Sequence, residues 1–244
     1  MKKRIAVTGE GPTDYGQMGF HPGTGQPEWK WGPVKEFCIL CLDEEKMEEV
    51  PELCPIHKED VRRIKLLRSD SGLEGRAIPA RKFRNLCREQ KLEYGIFYSD
   101  ADRGGDSGKT THRAGKHFEK IYQEVIRGLQ AEEDQHFIPM VPLKMIECWL
   151  LADEKAFYKC FGKVPKLPSA PELIWGEKGN PGSEYPKCYM VRAIKQASGG
   201  KTDGGRETFC RLAENMDIET LKERCPISFR TFFEDFRRLY QSGI

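Results

Sequence analysis

No uninterrupted apolar run in this sequence is longer than Phe37 to Leu42. A membrane-spanning helix needs about 20 mostly apolar residues, so none is expected. Charge of one sign is not in excess either: 40 Lys and Arg stand against 38 Asp and Glu, a formal net charge of +2. That near-balance excludes a histone-like or strongly anionic protein, but leaves material for a local basic face able to carry nucleic acid. The basic start Met1-Lys2-Lys3-Arg4 has no apolar segment behind it, because Gly9, Gly11 and Pro12 interrupt within a few residues. With no leader to read, the expected location is the cytoplasm. Nine cysteines, an odd number without regular spacing, argue against a disulfide framework and for reduced thiols in a cytosolic core. Repeats and low-complexity tracts are missing too. What remains is an ordinary globular composition, sufficient for one domain with appendages or two small ones.

The hydrophobic periodicity alternates between strand and helix. Lys3–Thr8 predicts a first strand that breaks at Gly9. Residues 15–32, rich in glycine, are expected to be irregular, and they deliver Pro33 as the first helical residue of Val34–Glu49. Val61–Leu67 reads as a second strand, Arg81–Lys91 as a helix, Tyr94–Ser99 as a third strand, Arg113–Leu129 as a long amphipathic helix and Phe137–Val141 as a fourth strand. Such alternation predicts an α/β layer with a mostly parallel sheet, whose ligands bind at the carboxyl ends of its strands. Beyond Ala152 the pattern is helical: 153–160, 187–197, 206–216, 218–224 and 227–240. The expected organisation is a domain over 1–152 and an α-helical extension over 153–244 packed on it.

Two of those strand ends are acidic. The first runs into Glu10-Gly11-Pro12-Thr13-Asp14 and the third into Asp100-Ala101-Asp102. In a parallel sheet these meet on one edge, where like charges destabilise the fold unless a cation lies between them. Oxygen donors without a neighbouring histidine or cysteine select Mg²⁺ or Mn²⁺. Taken singly, Asp100 and Asp102 are also ordinary turn residues at a strand end. Glu147 lies among Met145, Ile146, Trp149 and Leu150, so as a buried anion it requires a metal or a cation such as Lys144; otherwise it is a solvated helix glutamate.

A Glu-Gly-x-x-Asp loop after the first strand and Asp-x-Asp after a later one, on a compact parallel α/β unit, resemble the Toprim domain of primases, type IA topoisomerases and overcoming-lysogenization-defect nucleases. The resemblance covers residues 1–152 and is nearest to stand-alone Toprim-like proteins of prokaryotic defence loci, to which Pro142–Asp153 and Cys225–Arg230 are also similar. It implies a Toprim-like sheet flanked by helices and a Mg²⁺-dependent nuclease cutting DNA or RNA in phage defence, with an ATPase partner. It further implies that Glu10 is a general acid/base or metal ligand, that Asp100 and Asp102 are metal ligands, that Asp14 is the second acidic position, and that Glu147 is a further acidic one. Arg103, Lys109 and Arg113 would neutralise substrate phosphate. A silent subunit regulating an ATPase, a nucleotide hydrolase and a plain nucleic-acid-binding module are the alternatives.

Three further patterns compete for function. Gly104–Thr111 imitates a phosphate-binding Walker loop but has Arg103 where the motif requires glycine. Cys38, Cys41, Cys54 and His57 have a legitimate spacing for structural Zn²⁺, although Cys38 and Cys41 also fit the inner face of a helix. Lys187–Arg206 interleaves basic residues with nearby Tyr185 and Tyr189, suiting either a nucleic-acid strand or a solvated helix face. His112 and His117 are read as bystanders.

Overall fold

The computed structural model describes residues 2–45, 50–101, 110–131 and 136–242. Strand β1 (Arg4–Thr8) is followed by a hairpin of β2 (Gly16–Phe20) and β3 (Pro27–Trp31), and by helix α1 (Pro33–Glu44). Then come β4 (Glu52–Pro55), α2 (Lys58–Arg63), α3 (Ala77–Glu89), β5 (Tyr94–Tyr98), α4 (Thr111–Leu129) and β6 (Phe137–Met140). Six helices complete the chain: α5 (Glu147–Leu150), α6 (Glu154–Phe161), α7 (Pro186–Ser198), α8 (Arg206–Glu214), α9 (Ile218–Arg224) and α10 (Ser228–Gln241). The main sheet has the order β4-β1-β5-β6 and every pairing in it is parallel. The fold is therefore α/β, with helices on both faces and a helical C-terminal region, as the alternation implies. No described helix is long and apolar enough to cross a membrane.

Period-two alternation assigns the layers. Ile5, Val7, Ile96, Tyr98 and Met140 enter one core, shared with Phe37 and Cys38 of α1 and with Trp149, Phe157, Met190, Phe229 and Phe236 from the C-terminal helices. Ala6 and Phe97 point to the opposite face, under Phe83 of α3 and Phe118 and Val125 of α4. The helices beyond residue 152 thus form half of the cover on one face of the sheet. Both faces being buried explains why β5 reads as a continuous apolar run.

Two expectations need correction. Residues 15–32 are not irregular, since they hold the β2–β3 hairpin. The glycines that suggested irregular structure are what let it close: a Cβ on Gly16 (φ +123°) would fall 2.4 Å from the Lys30 carbonyl oxygen. Trp29 and Trp31 then pack on Tyr15, with ring centroids 5.0 and 5.6 Å away. The second parallel strand is not Val61–Leu67 but Glu52–Pro55, and Lys58–Arg63 is helical. The flanking prolines suggested a loop, but β4 is an edge strand, where an imide without N–H is tolerated. The His57 Nδ1 accepts from the Glu59 amide and so caps α2.

The opposite edge, β6, is closed by a clasp between layers. The Tyr122 hydroxyl of α4 donates to Asp235 Oδ2 of α10 at 2.8 Å, and Arg238 pairs with the same carboxylate. Burial pushes Asp235 up to about 6 in spite of both partners. Between roughly pH 4 and 6 the folded chain therefore binds more protons than the unfolded one, so this carboxyl lowers stability as pH rises through that window. Asp235→Asn keeps an acceptor for Tyr122 and should remove that slope. Melting curves from pH 4 to 7 are expected to show a stability loss of up to about 3 kcal/mol in the wild type that the variant lacks.

Candidate functional site

The chain leaves β1 for β4 on one side and later returns to β5 on the other, so the strand order reverses between β1 and β5. That reversal opens a crevice at the carboxyl ends of the two strands. The loop leaving β1 is fixed tightly. The Gly11 carbonyl (residue φ +90°) accepts from the amides of Tyr15 and Gly16, and the Tyr15 hydroxyl donates to Val7 O at 2.6 Å while accepting from the Ile56 amide. Asp14, held inside this loop, is buried.

Asp100 follows β5 directly and lies at the same edge. The buried Tyr98 hydroxyl donates to Asp100 Oδ1 at 2.8 Å. Burial, Glu147 and Asp14 push the Asp100 carboxyl well above its usual range, against the opposing pull of Tyr98 and Lys187. Asp14 is also raised, by burial and then by Glu10, with Lys187 and Tyr98 acting the other way. Its Oδ1 is buried with no hydrogen-bond partner among the described residues. Glu147, on α5, is buried, with Oε1 3.9 Å from Lys187 Nζ of α7. Although burial works against the Lys187 charge, Glu147, Asp14 and Asp100 together hold its ammonium above the ordinary lysine range. The site thus joins a β1 loop, the end of β5, α5 and α7.

Glu10 belongs to the same edge but to a different environment. It is partly exposed and bridges Lys58 Nζ at 2.9 Å and Arg76 Nη1 at 3.2 Å. Burial raises its carboxyl, and the two cations outweigh that and leave it below the ordinary range. The Arg76 Nη2 also donates to the Asp100 carbonyl at 3.1 Å. His117 Nε2 donates to the Ala101 carbonyl, so this residue fixes the backbone beside Asp100. Arg113 is exposed in the first turn of α4, which Thr110 caps. Asp102, Arg103, Asp106, Lys109 and the Walker-like loop up to Lys109 lie outside the described residues.

Tyr98, Arg76, Lys58 and Lys187 were not singled out for this site by sequence reasoning. Lys187 carried only the signal of a basic stretch, and that stretch points elsewhere: Arg192 stacks over Tyr189 and donates to the carbonyls of Pro181 and Ser183. Lys144, the cation suggested for Glu147, has a positive φ of 71° and sits 5.0 Å over the Trp175 ring.

The glycine preceding Glu10 supports the geometry. A Cβ on Gly9 would stand 2.5 Å from Tyr98 Cδ1. Gly9→Ala is expected to displace the ring that holds Asp100 and to cost about 1–3 kcal/mol of stability, measurable by denaturant unfolding.

The two long blocks, Pro142–Asp153 and Cys225–Arg230, meet in the core. Trp149 Nε1 donates to Ser228 Oγ at 2.8 Å, and the Trp149 ring packs edge-on against Phe229 and Phe37. The buried Glu172 accepts from the amides of Ile227 and Ser228. These contacts place α5, and with it Glu147, against the sheet. A family model described as "Domain of unknown function (DUF4276)" matches residues 51–237, which contain both blocks, Asp100 and Lys187. The chain belongs to this family. No curated protein and no solved structure matches it. In this DUF4276 chain the matched span begins after α1, so Glu10 and Asp14 lie outside it.

Among the described residues no three His, Cys, Asp or Glu side chains form a ready-made metal cage. The chemistry of Asp14, Asp100 and Glu147 nevertheless fits a hard cation: all donors are oxygens, they repel one another, and one buried Asp14 oxygen has no partner. The zinc set fits poorly. Cys38 and Cys41 are buried in the core from α1, the Cys54 Sγ accepts from Arg4 Nε, and the His57 Nδ1 is engaged by the Glu59 amide.

Proposed function

We propose that this DUF4276 protein is a Mg²⁺- or Mn²⁺-dependent phosphodiesterase acting on nucleic acid. The observation that carries this reading is the electrostatic coupling of Asp100 to Asp14 and Glu147, three carboxylates from separate elements, at the reversal of strand order between β1 and β5. A carboxylate raised by its carboxylate neighbours, as Asp100 is by Glu147 and Asp14, is costly for a fold, and a divalent ion is the simplest agent that relieves the cost. The setting in phage defence and the ATPase partner rest on the Toprim-like resemblance alone.

A bound divalent ion supplies Lewis-acid polarisation of a phosphoryl oxygen and a more acidic water. Asp14, Asp100 and Glu147 would hold it, and Asp102 would join them as the resemblance implies. Tyr98 orients Asp100 through its hydrogen bond. Lys58, Arg76 and Arg113 put positive charge along the same edge, where a phosphate diester needs neutralisation. Glu10, held anionic below the usual carboxylate range, is a poor general base at neutral pH and suits the orientation of a donor better.

The test is calorimetric titration of Mn²⁺ and Mg²⁺ into the wild type and Asp14→Asn, with plasmid DNA and total tRNA cleavage followed in the same samples. Binding and metal-dependent cleavage in the wild type, both lost in the variant, support the reading. Equal affinity in the two proteins contradicts it.

A further inference from the structure

The cluster that would receive a divalent ion already has a cation beside it. Lys187 Nζ lies 3.9 Å from Glu147 Oε1 and is held charged by Asp14 and Asp100 as well. It belongs to α7, whereas Asp14 and Asp100 stand on the loops at the strand ends. Its side chain keeps 50% of its surface in solvent, while that of Glu147 keeps 3%. The anion is thus fixed in the core and the cation is at its mouth, on a flexible four-carbon stem that can swing outward with little loss of packing.

The lysine is also an incomplete solution to the charge problem. Asp14 is 5% exposed, and its Oδ1 has no hydrogen-bond partner among the described residues. An unsatisfied acceptor at that depth is expensive, and a cation that reached it would relieve a cost that the ammonium leaves in place. A divalent ion drawing oxygens from Glu147 and its neighbours would compete with Nζ for the same carboxylate, and two like charges at one anion oppose each other even when partly screened by solvent.

We propose that Lys187 is a displaceable stand-in for the divalent ion, balancing the carboxylates of the metal-free protein and leaving on loading, so that it sets the affinity of the site. The proposal rests on the metal-centre reading above and adds a competitor to it. Affinity for Mg²⁺ or Mn²⁺ is then a difference between two cations, and a change in α7 alters it without touching a ligand.

The experiment has two arms, neither of which uses catalysis. In the first, Mn²⁺ is titrated into the wild type, Lys187→Met and Lys187→Arg. Lys187→Met, which keeps most of the stem and removes the charge, is expected to bind Mn²⁺ about tenfold more tightly. It should also melt lower than the wild type in EDTA and gain more from added Mn²⁺. Lys187→Arg should stay near the wild type. In the second arm, wild-type lysines are acylated with and without Mg²⁺ and read by peptide mass spectrometry, and Lys187 labelling should accelerate when the ion is present.

Mn²⁺ binding that is equal or weaker in Lys187→Met overturns the stand-in and leaves the metal centre intact. So does Lys187 labelling that Mg²⁺ does not change. Absence of Mn²⁺ binding from every variant removes the metal centre, and the stand-in with it. Should Lys187→Met fail to fold in EDTA, Asp14→Asn/Lys187→Met is expected to regain the melting transition, because one buried anion leaves with the cation; failure of that rescue counts against the proposal, and the labelling of the wild type decides independently.

Discussion

Asp100→Asn should melt roughly 3–6 °C above the wild type in EDTA and at the same time lose at least about 100-fold of any metal-dependent cleavage. Both effects have one cause. Asp100 is ionised only against burial and the neighbouring charges of Glu147 and Asp14, which push its carboxyl well above the ordinary range. A folded carboxyl raised in this way lowers stability as pH rises through its titration, so its cost is full at high pH and vanishes in acid. Asparagine still accepts the Tyr98 hydroxyl hydrogen bond, removes the charge, and is a poor ligand for Mg²⁺. The gap in melting temperature should therefore close as pH falls. A variant that melts lower at pH 8 and cleaves normally would show that Asp100 is a turn residue and nothing more.

Trp149→Ala is expected to cost about 4 kcal/mol of stability, a fall of roughly 10 °C in melting temperature. The indole is fully buried and touches Phe37 of α1 and Phe229 and Phe232 of α10, with centroid distances of 5.2, 5.1 and 5.8 Å. Its removal leaves a large cavity where α1, α5 and α10 meet, and frees the Ser228 hydroxyl that accepts Nε1. Ser228→Ala, which keeps the packing and loses the hydrogen bond, should cost less, about 2 kcal/mol. Denaturant unfolding of the two variants separates the contributions. A loss in Ser228→Ala equal to that in Trp149→Ala would shift the weight from packing to the polar junction with Glu172.

The alternation of β1, β5, α4 and β6 was legible because both faces of each strand are buried and α4 has a strong apolar stripe. The acidic ends of β1 and β5 were legible for the same reason, since parallel strands align their carboxyl ends. The hairpin was not, because Gly16 and Gly19 are read as breakers when the partner strand that demands them is unknown. The second strand was misplaced because Val61 and Ile64 look β-prone in isolation, whereas edge position makes Glu52–Pro55 the strand. The roles of Lys187, Arg76 and Lys58 depend on chain crossings between distant segments, which local spacing does not contain. Glu147 was legible by its apolar neighbours, and its burial follows from the meeting of Trp149 with Ser228.

The shared core has a consequence for how the protein is made. Ile5, Val7, Ile96 and Met140 leave the ribosome before much of their cover, Met190, Phe229 and Phe236, has been synthesised. Until α10 has been delivered, one face of the nascent sheet is short of the side chains that exclude water from it. Such a chain depends on late, long-range contacts, which slow folding and invite association of incomplete copies. A chain that lacks α10 would lose Phe229 and Phe236 from that core and present a bare sheet face of the kind chaperones and proteases recognise.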